Sequence, residues 1–515
     1  MKLTPYVIAS ALSITVLLVA CSRPSAVTPS SSTATPVNTV TSSNTATAPV
    51  PGTATMVVTA QKTATVIPEL GATATQVTSS KELHSPLSNA NVPLETVFGV
   101  EMSQIRSDSV LSKVKAANVR WIRRAAIPWR LIEPSEGQRN WAAISDLERE
   151  FQTASENGYK LVIVVREAPA WAQALQGISC GPIKQDKLQA FAAFMHDVVG
   201  RYSAPPYNVY YWEIWNEPDI SPQLVPADSL WGCWGNESDQ YYGGGAYAEM
   251  LKTVYPMVKA AQPEAQLMVG GLLLDCDPQN PPAGKDCKPA RFLEGILHAG
   301  GGAYFDGVAF HAYDYYDNPI KGEYSNASWH ASSATTGPVV SAKAQYVTGL
   351  LNQYGERTKF LMNTEMALIC GQDGAEPRCM TQNFADTKAA YIVEAYAATF
   401  ALGLRVGVWY NLSGWRGSGL LDTTGQVTLA YYAYQFAAKQ FAGITSGMPI
   451  IPYPGVRGYE LAKANGKLWV IWSVDGSDHT IILPNTPRSI SDISGKPISN
   501  SGSITVSVMP VYLEW

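Results

Sequence analysis

Two glutamates in this chain each follow an apolar run of the sequence. Glu217 stands in Trp-Asn-Glu-Pro after the run 209–215, and Glu365 stands in Asn-Thr-Glu-Met after Lys-Phe-Leu-Met. A carboxylate is costly to hold among aromatic and aliphatic side chains unless its charge or its altered pKa is used. Two carboxyls close together, one protonated and one ionised, suit the cleavage of a glycosidic bond. The position of each glutamate at the end of an apolar run therefore predicts a catalytic pair of carboxyls.

The neighbours of Glu217 favour its protonated form. Trp212, Trp215 and Pro218 surround it with apolar groups, and a dry setting raises the pKa of a carboxylic acid. Hydroxyl and amide donors would instead keep a nucleophilic carboxylate ionised. On this reasoning Glu217 is the proton donor and Glu365 the nucleophile.

Eight apolar runs alternate with helical stretches, as in a parallel sheet covered by helices. The predicted strands are 96–102, 119–124, 160–166, 209–215, 266–272, 306–313, 359–366 and 406–412. The predicted helices are 141–158, 188–202, 246–261, 339–354, 387–402 and 428–441. Eight such units predict a closed (β/α)8 TIM barrel. An open doubly wound sheet would want a glycine-rich turn after its first strand, and Glu101-Met-Ser-Gln-Ile has no glycine.

The barrel prediction places both glutamates at one rim, because catalytic side chains of such barrels lie at the C-terminal ends of the strands. The predicted catalytic barrel domain spans residues 91–441. After it, helical periodicity stops and apolar residues alternate with polar ones. Residues 442–515 are therefore predicted to form a small C-terminal β-sandwich domain.

Trp-Asn-Glu-Pro after the fourth strand and Thr-Glu at the end of the seventh resemble the acid/base and nucleophile signatures of the retaining clan A glycoside hydrolases. Within that clan the chain resembles family 39 and family 5-like members, over residues 97–441. The resemblance implies a retaining β-glycoside hydrolase with Glu217 as acid/base and Glu365 as nucleophile. It also implies that Asn216 hydrogen-bonds the sugar 2-hydroxyl.

Further residues match the clan by position. His311 and Tyr313 lie two apart in the sixth strand, and match the clan's histidine and the tyrosine that donates to the nucleophile. Arg124 ends the second strand and matches an arginine beneath the nucleophile, with the adjacent Arg123 as the alternative. Trp409 in the eighth strand matches the aromatic floor under the bound sugar.

Two more tryptophans and one more carboxylate are candidates near the cleft. Trp129 and Trp171 lie in loops that resemble the cleft walls, where an aromatic face holds the apolar face of a pyranose. Glu101 ends the first strand and either contacts substrate or pairs with an arginine. We place Glu101 outside the catalytic set.

Residues 1–21 resemble a bacterial lipoprotein signal, with a positively charged start, an apolar run and a lipobox ending at Cys21. The alternative is an ordinary secretory peptide with a chance cysteine. Residues 22–90 are rich in Ser, Thr, Ala and Pro and predict a disordered tether. We expect an extracytoplasmic protein whose only membrane contact is a lipidated Cys21.

Six of the seven cysteines follow Cys21, and an even number in an exported chain suggests disulfides. Loop proximity favours two short-range pairs and leaves a third. The candidate pairs are Cys276 with Cys287, Cys370 with Cys379, and Cys180 with Cys233. Their spacing shows none of the paired short motifs of a zinc site, and neither a metal nor an organic cofactor is expected.

Composition favours a carbohydrate partner over nucleic acid. Charged residues make up 15% of the chain, which carries 14 Trp and 26 Tyr and a formal net charge of -5. It has no basic stretch that could follow a phosphate backbone, so the predicted partner is an oligo- or polysaccharide. A surface carbohydrate receptor with little turnover, or a transglycosylase using the same residues, are the alternatives. A matched acid and nucleophile argue against the receptor.

Overall fold

The computed structural model describes residues 96–106, 108–317, 320–499 and 502–515. The predicted signal, the lipidation site Cys21 and the tether lie outside these residues. Within them, no helix combines the length and the apolar character needed to span a bilayer.

Eight parallel strands form a closed barrel. They are β1 Phe98–Glu101, β2 Trp121–Pro128, β3 Lys160–Arg166, β4 Tyr211–Asn216, β5 Gln266–Leu272, β6 Gly307–Tyr315, β7 Phe360–Ile369 and β8 Gly407–Trp409. Each strand pairs with the next, and β1 also pairs with β8, which closes the ring. The predicted (β/α)8 barrel is confirmed.

A helix follows each barrel strand. The helices are α1 Ser109–Ala116, α2 Ser145–Glu156, α3 Leu188–Tyr202, α4 Gly244–Ala261, α5 Phe292–His298, α6 Val339–Gln353, α7 Gln382–Ala401 and α8 Leu429–Gln440. The short helices α1 and α5 were not among the predicted helices. α7 begins earlier than predicted because the Thr381 hydroxyl accepts from the amide of Phe384 and caps the helix.

The side-chain period of two sets what faces the barrel interior. The lower interior is filled by Trp121, Val162, Met268, Ala309, Phe360, Met362, Val406 and Val408. Two residues further along their strands, Arg123, His311 and Tyr410 follow Trp121, Ala309 and Val408 towards the mouth of the barrel. The packed lower layer thus supports the residues of the site.

The C-terminal region forms two antiparallel sheets, as predicted for a β-sandwich. Its strands are β9 Ile444–Tyr453, β10 Val456–Lys463, β11 Gly466–Ser473, β12 His479–Ile482, β13 Ser489–Ser491, β14 Ser503–Val506 and β15 Val511–Glu514. The first sheet has the order β9-β10-β11-β15-β13, and β12 pairs with β14. Tyr512 packs on Phe436 and Phe441 at ring-centroid distances of 5.2 and 6.4 Å, so this region shares a core with the barrel helices.

Three disulfides link the cysteines as the sequence predicted. They are Cys180–Cys233, Cys276–Cys287 and Cys370–Cys379. All six cysteines lie in or beside loops at the C-terminal ends of barrel strands. The crosslinks therefore fasten the loops that surround the mouth.

We predict that Phe98→Ala destabilises the whole barrel. The Phe98 ring is fully buried and stacks on Tyr396 at 4.2 Å, with Tyr434 and Phe441 at 5.2 and 5.7 Å. The substitution should lower the free energy of unfolding by about 3–5 kcal/mol in urea titrations. Ile482→Ala, at a 79% exposed position, is the control and should change it by no more than about 0.5 kcal/mol.

Candidate active site

Arg123 is the centre of the site and is completely buried in β2. Its Nε and Nη2 donate to the two oxygens of Glu213 at 3.1 and 3.0 Å. Its Nη1 donates to Glu365 Oε1 at 2.6 Å and to Glu101 Oε2 at 2.5 Å. The planar guanidinium therefore fixes three carboxylates relative to one another.

The sequence assignment of the arginine to Arg124 is wrong by one residue. Arg124 points to the outside of the barrel, where its Nε donates to Glu150 of α2 at 2.9 Å. Successive side chains of a strand face opposite sides, so only Arg123 shares the inward face with Trp121. The two adjacent arginines cannot both reach Glu365.

Glu217 lies at the mouth, directly after β4, as predicted. Trp215 and Glu217 have positive φ values of 65° and 50°, and the Glu217 amide donates to the carbonyl of Gly271 at 2.8 Å. This irregular turn ends β4 and carries the side chain of Glu217. Burial raises the pKa of Glu217 to about 7, and the charges of Arg123 and Lys343 oppose that rise.

Glu365 faces the mouth because β7 is irregular. Phe310 pairs with Asn363 but His311 pairs with Glu365, so one extra residue of β7 is accommodated at this point. Such bulges re-aim side chains beside active sites. Without this bulge, the alternation of side chains along β7 would continue from the inward-facing Met362 and place Thr364 on the inward face.

The hydrogen bonds distinguish the two glutamates. Glu365 accepts from Arg123 Nη1 on one oxygen and from the Tyr313 hydroxyl on the other. Glu217 Oε1 lies 2.9 Å from His311 Nδ1. Burial raises the pKa of Glu365 to about 7 as well, with His311 and Arg123 lowering it in part. The two donors to Glu365, Arg123 and Tyr313, favour its ionised form.

Asn216 is oriented by the same arginine. Arg123 Nη2 donates to Asn216 Oδ1 at 2.5 Å. Because arginine is a donor only, the oxygen of the amide must face it. The amide NH2 group of Asn216 is therefore turned away from Arg123.

His311 and Tyr313 share one face of β6, as predicted, and both reach the glutamates. His311 Nδ1 lies 2.9 Å from Glu217 and 3.4 Å from Glu365. Burial lowers the pKa of His311 to about 4, so the ring is neutral at neutral pH. Gly271 makes room for it, since a Cβ there would lie 2.1 Å from His311 Nε2.

Trp409 does not form the floor of the site. Its indole is fully buried on the outer face of β8, where Nε1 donates to the carbonyl of Ser418 at 3.0 Å and the ring lies 6.1 Å from Tyr391. The next residue, Tyr410, takes the mouth position, 6.0 Å from Tyr313 between ring centroids. As with Arg124, the prediction missed the inward face by one residue.

Trp171 and Trp129 belong to the packing beside the barrel. Trp129 is fully buried and lies 4.9 Å from Phe191. The half-buried Trp171 lies 5.2 Å from Trp129 and donates to the carbonyl of Glu133 at 3.1 Å. None of the contacts described for Trp171 joins it to the two glutamates.

Sequence reasoning missed Glu213, Tyr410 and Trp415, whose indole lies 5.6 Å from the ring of Tyr313. Glu213 is buried on the inward face of β4 and also accepts from the Gly271 amide at 2.7 Å. Its signal was a charged residue inside an otherwise apolar barrel strand. Tyr410 and Trp415 carried no signal beyond being aromatic.

One ligand atom each from Glu217, His311 and Glu365 lie within 4.8 Å of one another, close enough to hold a cation. Both oxygens of Glu365 already accept hydrogen bonds from Arg123 and Tyr313. The adjacent guanidinium charge opposes a metal ion at the same carboxylate. The donors around Glu365 therefore disfavour a cation at this carboxylate.

Solved structures with this fold include several glycoside hydrolases. A family 39 glycoside hydrolase from the gut symbiont Bacteroides cellulosilyticus WH2 is 19% identical, with a TM-score of 0.61 over 82% of this chain and 81% of that chain. The family 30 subfamily 8 xylanase Xyn30A from Clostridium acetobutylicum is 16% identical, with a TM-score of 0.52 over 82% and 96% of the two chains. The catalytic domain of family 30 xylanase C from Talaromyces cellulolyticus is 14% identical, with a TM-score of 0.53 over 83% and 98%.

No protein-family model matches the chain, and no curated protein matches its sequence. At these identities the likeness to the solved structures establishes the fold. The chain is a (β/α)8 barrel of the kind found in family 39 and family 30 glycoside hydrolases, in agreement with the clan A resemblance of its sequence.

We predict that the two adjacent arginines differ sharply in their contribution to stability. Arg123→Leu leaves buried carboxylates without their counter-charge and should lower the free energy of unfolding by about 3–5 kcal/mol. Arg124→Leu removes a partly exposed ion pair and should cost about 1 kcal/mol or less. Equal losses in denaturant titrations would contradict this assignment of the two side chains.

Proposed function

We propose that this protein is a retaining β-glycoside hydrolase acting on oligo- or polysaccharides. The observation that carries the proposal is the approach of Glu217 and Glu365, whose carboxyl oxygens come within 4.8 Å. Retaining enzymes hold their two carboxyls about 5–5.5 Å apart, and inverting enzymes about 6.5–9.5 Å apart to admit a water molecule.

The reaction proceeds by two displacements. Glu365 attacks the anomeric carbon while Glu217 transfers its proton to the glycosidic oxygen, which leaves with the bond electrons as an alcohol. Glu217, now ionised, takes a proton from water as that water attacks the anomeric carbon of the glycosyl ester. The ester bond breaks, Glu365 is released as a carboxylate and Glu217 is protonated again.

Surrounding residues support each role. Arg123 and Tyr313 hold the two oxygens of Glu365 and stabilise its charge before attack and after release. His311 positions Glu217. The role proposed for the Asn216 amide, whose oxygen accepts from Arg123, is to donate to the hydroxyl next to the reacting carbon. No metal or organic cofactor takes part in these steps.

The proposed place of action is the extracytoplasmic face of a bacterial membrane, with a lipid anchor on Cys21. Three disulfides are typical of proteins that fold in an oxidising compartment. Mass spectrometry of the exported protein would detect the acylated Cys21.

Family 30 neighbours named as xylanases support a β-linked glycan as substrate.

We predict that Glu365 is trapped covalently by a 2-fluoro glycoside with an activated leaving group. The fluorine slows release more than formation of the glycosyl ester, so peptide mapping should find the sugar on Glu365. Glu217→Ala should lower the rate about 10²–10⁴-fold on unactivated substrates, with azide restoring turnover of an activated aryl glycoside. Glu150→Gln, at the outer ion pair, is the control and should keep wild-type activity.

Label on another peptide would contradict the assignment of Glu365. The assignment would also be contradicted if azide restored turnover by Glu365→Ala and the product kept the anomeric configuration of the substrate.

We predict a bell-shaped pH dependence of kcat/KM whose alkaline limb belongs to Glu217. The pKa values of both glutamates are raised to about 7, and activity needs Glu365 ionised and Glu217 protonated. Activity should fall at low pH as Glu365 takes a proton, and at pH above about 7 as Glu217 loses its proton. In Glu217→Gln, assayed on a dinitrophenyl glycoside that needs no acid, the alkaline limb should disappear. If the alkaline limb of the pH profile is unchanged in Glu217→Gln, it belongs to a group other than Glu217.

A further inference from the structure

A buried lysine contacts the backbone of His311 and has no role in the reaction steps given above. Lys343 of α6 is only 3% exposed. Its Nζ donates to the carbonyl of Leu273 at 2.6 Å and to the carbonyl of His311 at 2.8 Å. Burial of an ammonium group is costly, so a lysine at this junction of β6 with the loop after β5 calls for a function.

The turn that carries Glu217 is held at the same point. Asp219 follows Glu217 by two residues, is buried, and accepts from the amides of Leu273 and Leu274 at 2.9 and 2.8 Å. Lys343 and Asp219 therefore bind the carbonyl and the amide of one residue, Leu273. Leu274 has a φ of 49°, a backbone conformation that leucine rarely adopts, and these hydrogen bonds stabilise it.

These contacts close a ring through Glu217. The chain runs from Glu217 to Asp219, and Asp219 binds the amide of Leu273. The carbonyl of Leu273 binds Lys343, and Lys343 binds the carbonyl of His311. His311 Nδ1 then returns to Glu217 Oε1 at 2.9 Å. Removal of the Lys343 ammonium would break two of these contacts at once and release both His311 and the loop after β5.

The ammonium group is itself held in place by its surroundings. Val339, the first residue of α6, donates its amide to the buried Asp314 at 2.8 Å. Lys343 lies one turn further along the helix, on the same face. Its Nζ lies 5.7 Å from the ring centroid of Trp329, whose Nε1 donates to the carbonyl of Leu274 at 2.7 Å. The helix and the indole thus fix the direction of the lysine.

The charges around Lys343 keep it cationic. The acidic groups that act on it are Asp219, Asp275, Asp314 and Glu217. Burial lowers the pKa of Lys343 to about 8, and these four carboxyls oppose the fall. The group is therefore an ammonium at neutral pH.

The charge of Lys343 acts in turn on Glu217. Burial raises the pKa of Glu217, the charges of Arg123 and Lys343 oppose that rise, and Glu213 adds to it. His311 and Glu365 are the other titratable groups beside it. A cation at this position favours the carboxylate that remains when Glu217 has given up its proton.

We propose that Lys343 is a positioning residue for the acid of the reaction: it fixes His311 and the turn of Glu217, and its charge stabilises the carboxylate that Glu217 becomes. Lys343 acts through the backbone of His311 and Leu273 and through its field. Its effect falls on the steps that use the acid. This inference rests on the proposed hydrolase function.

The test compares substrates that need the acid with substrates that do not. The probes are β-1,4-linked tetrasaccharides of xylose, glucose, mannose and galactose, and the dinitrophenyl β-glycosides of the matching mono- and disaccharides. On the sugar that the wild type cleaves, Lys343→Met should lower kcat/KM for the tetrasaccharide about tenfold and keep that for the dinitrophenyl glycoside within about threefold. Equal losses on the two substrates would overturn the proposal.

The pH dependence is a readout that a merely structural role would not move. Because Lys343 opposes the rise in the pKa of Glu217, Lys343→Met should shift the alkaline limb of kcat/KM for the tetrasaccharide upward by about 0.5–1 pH unit. The matched control is Lys388→Met, which removes a buried lysine of α7 that donates to the carbonyls of Gly417 and Gly419. It should leave the limb in its wild-type position. An unshifted limb in Lys343→Met overturns the proposal.

A second variant and a direct titration keep the test independent of folding and of turnover. If Lys343→Met does not fold, Lys343→Gln, which is neutral but keeps a donor, should show the same shift. If the wild type cleaves none of the probes, the hydrolase proposal fails. Carbon-13 NMR of labelled glutamate carboxyls, with Glu217→Gln to assign the resonance, should then place the titration midpoint of Glu217 about 0.5–1 pH unit higher in the Lys343 variant. An unchanged midpoint overturns the role of Lys343 whatever the activity.

Discussion

The buried guanidinium of Arg123 is the interaction on which the site depends. Three carboxylates, from Glu101, Glu213 and Glu365, meet at it within hydrogen-bond distance. Without a counter-charge, this many acids in a barrel mouth would protonate or force the strands apart, because ionised carboxyls are too costly to bury together. With it, β1, β2, β4 and β7 are tied to one planar group. The position of Glu365 is thus set by a cation in the centre of the barrel.

The guanidinium of Arg123 also separates the properties of Glu217 and Glu365. Glu365 contacts Arg123 directly, whereas Glu217 is held by the neutral His311 and feels the guanidinium only at longer range. Burial raises both pKa values, and the hydrogen bonds from Arg123 and Tyr313 favour the ionised form of Glu365. Two identical side chains thus acquire different properties through the donors that each one meets.

Rigidity around the mouth comes from outside the barrel strands. The Lys388 side chain donates to the carbonyls of Gly417 and Gly419 in the loop after β8. The disulfide Cys180–Cys233 links the loops after β3 and β4, and Cys370–Cys379 closes the loop after β7. α7, which carries Lys388, is buried along most of its length between the barrel and the C-terminal sheets. The C-terminal sheets therefore pack against α7, and α7 in turn holds the loop after β8 through Lys388.

Much of this architecture follows from the sequence by itself. Eight apolar runs that alternate with helical stretches determined the barrel, because parallel strands buried on both faces are nearly continuous in apolar residues. The Trp-Asn-Glu-Pro and Thr-Glu segments determined the catalytic pair that the proposed function uses, and the even spacing of His311 and Tyr313 placed both on one face. Short loops determined the pairs Cys276–Cys287 and Cys370–Cys379, which left Cys180 for Cys233.

Only the tertiary structure decided which member of an adjacent pair faces the mouth. The sequence pointed to Arg124 and Trp409, but Arg123 and Tyr410 occupy the inward positions. A one-residue shift reverses every side chain of a strand, and neither residue type nor hydrophobic pattern distinguishes the faces when both are buried. Glu365 itself reaches the mouth only through the bulge in β7. Register arises from pairing with both neighbouring strands, and that information lies far apart in the chain.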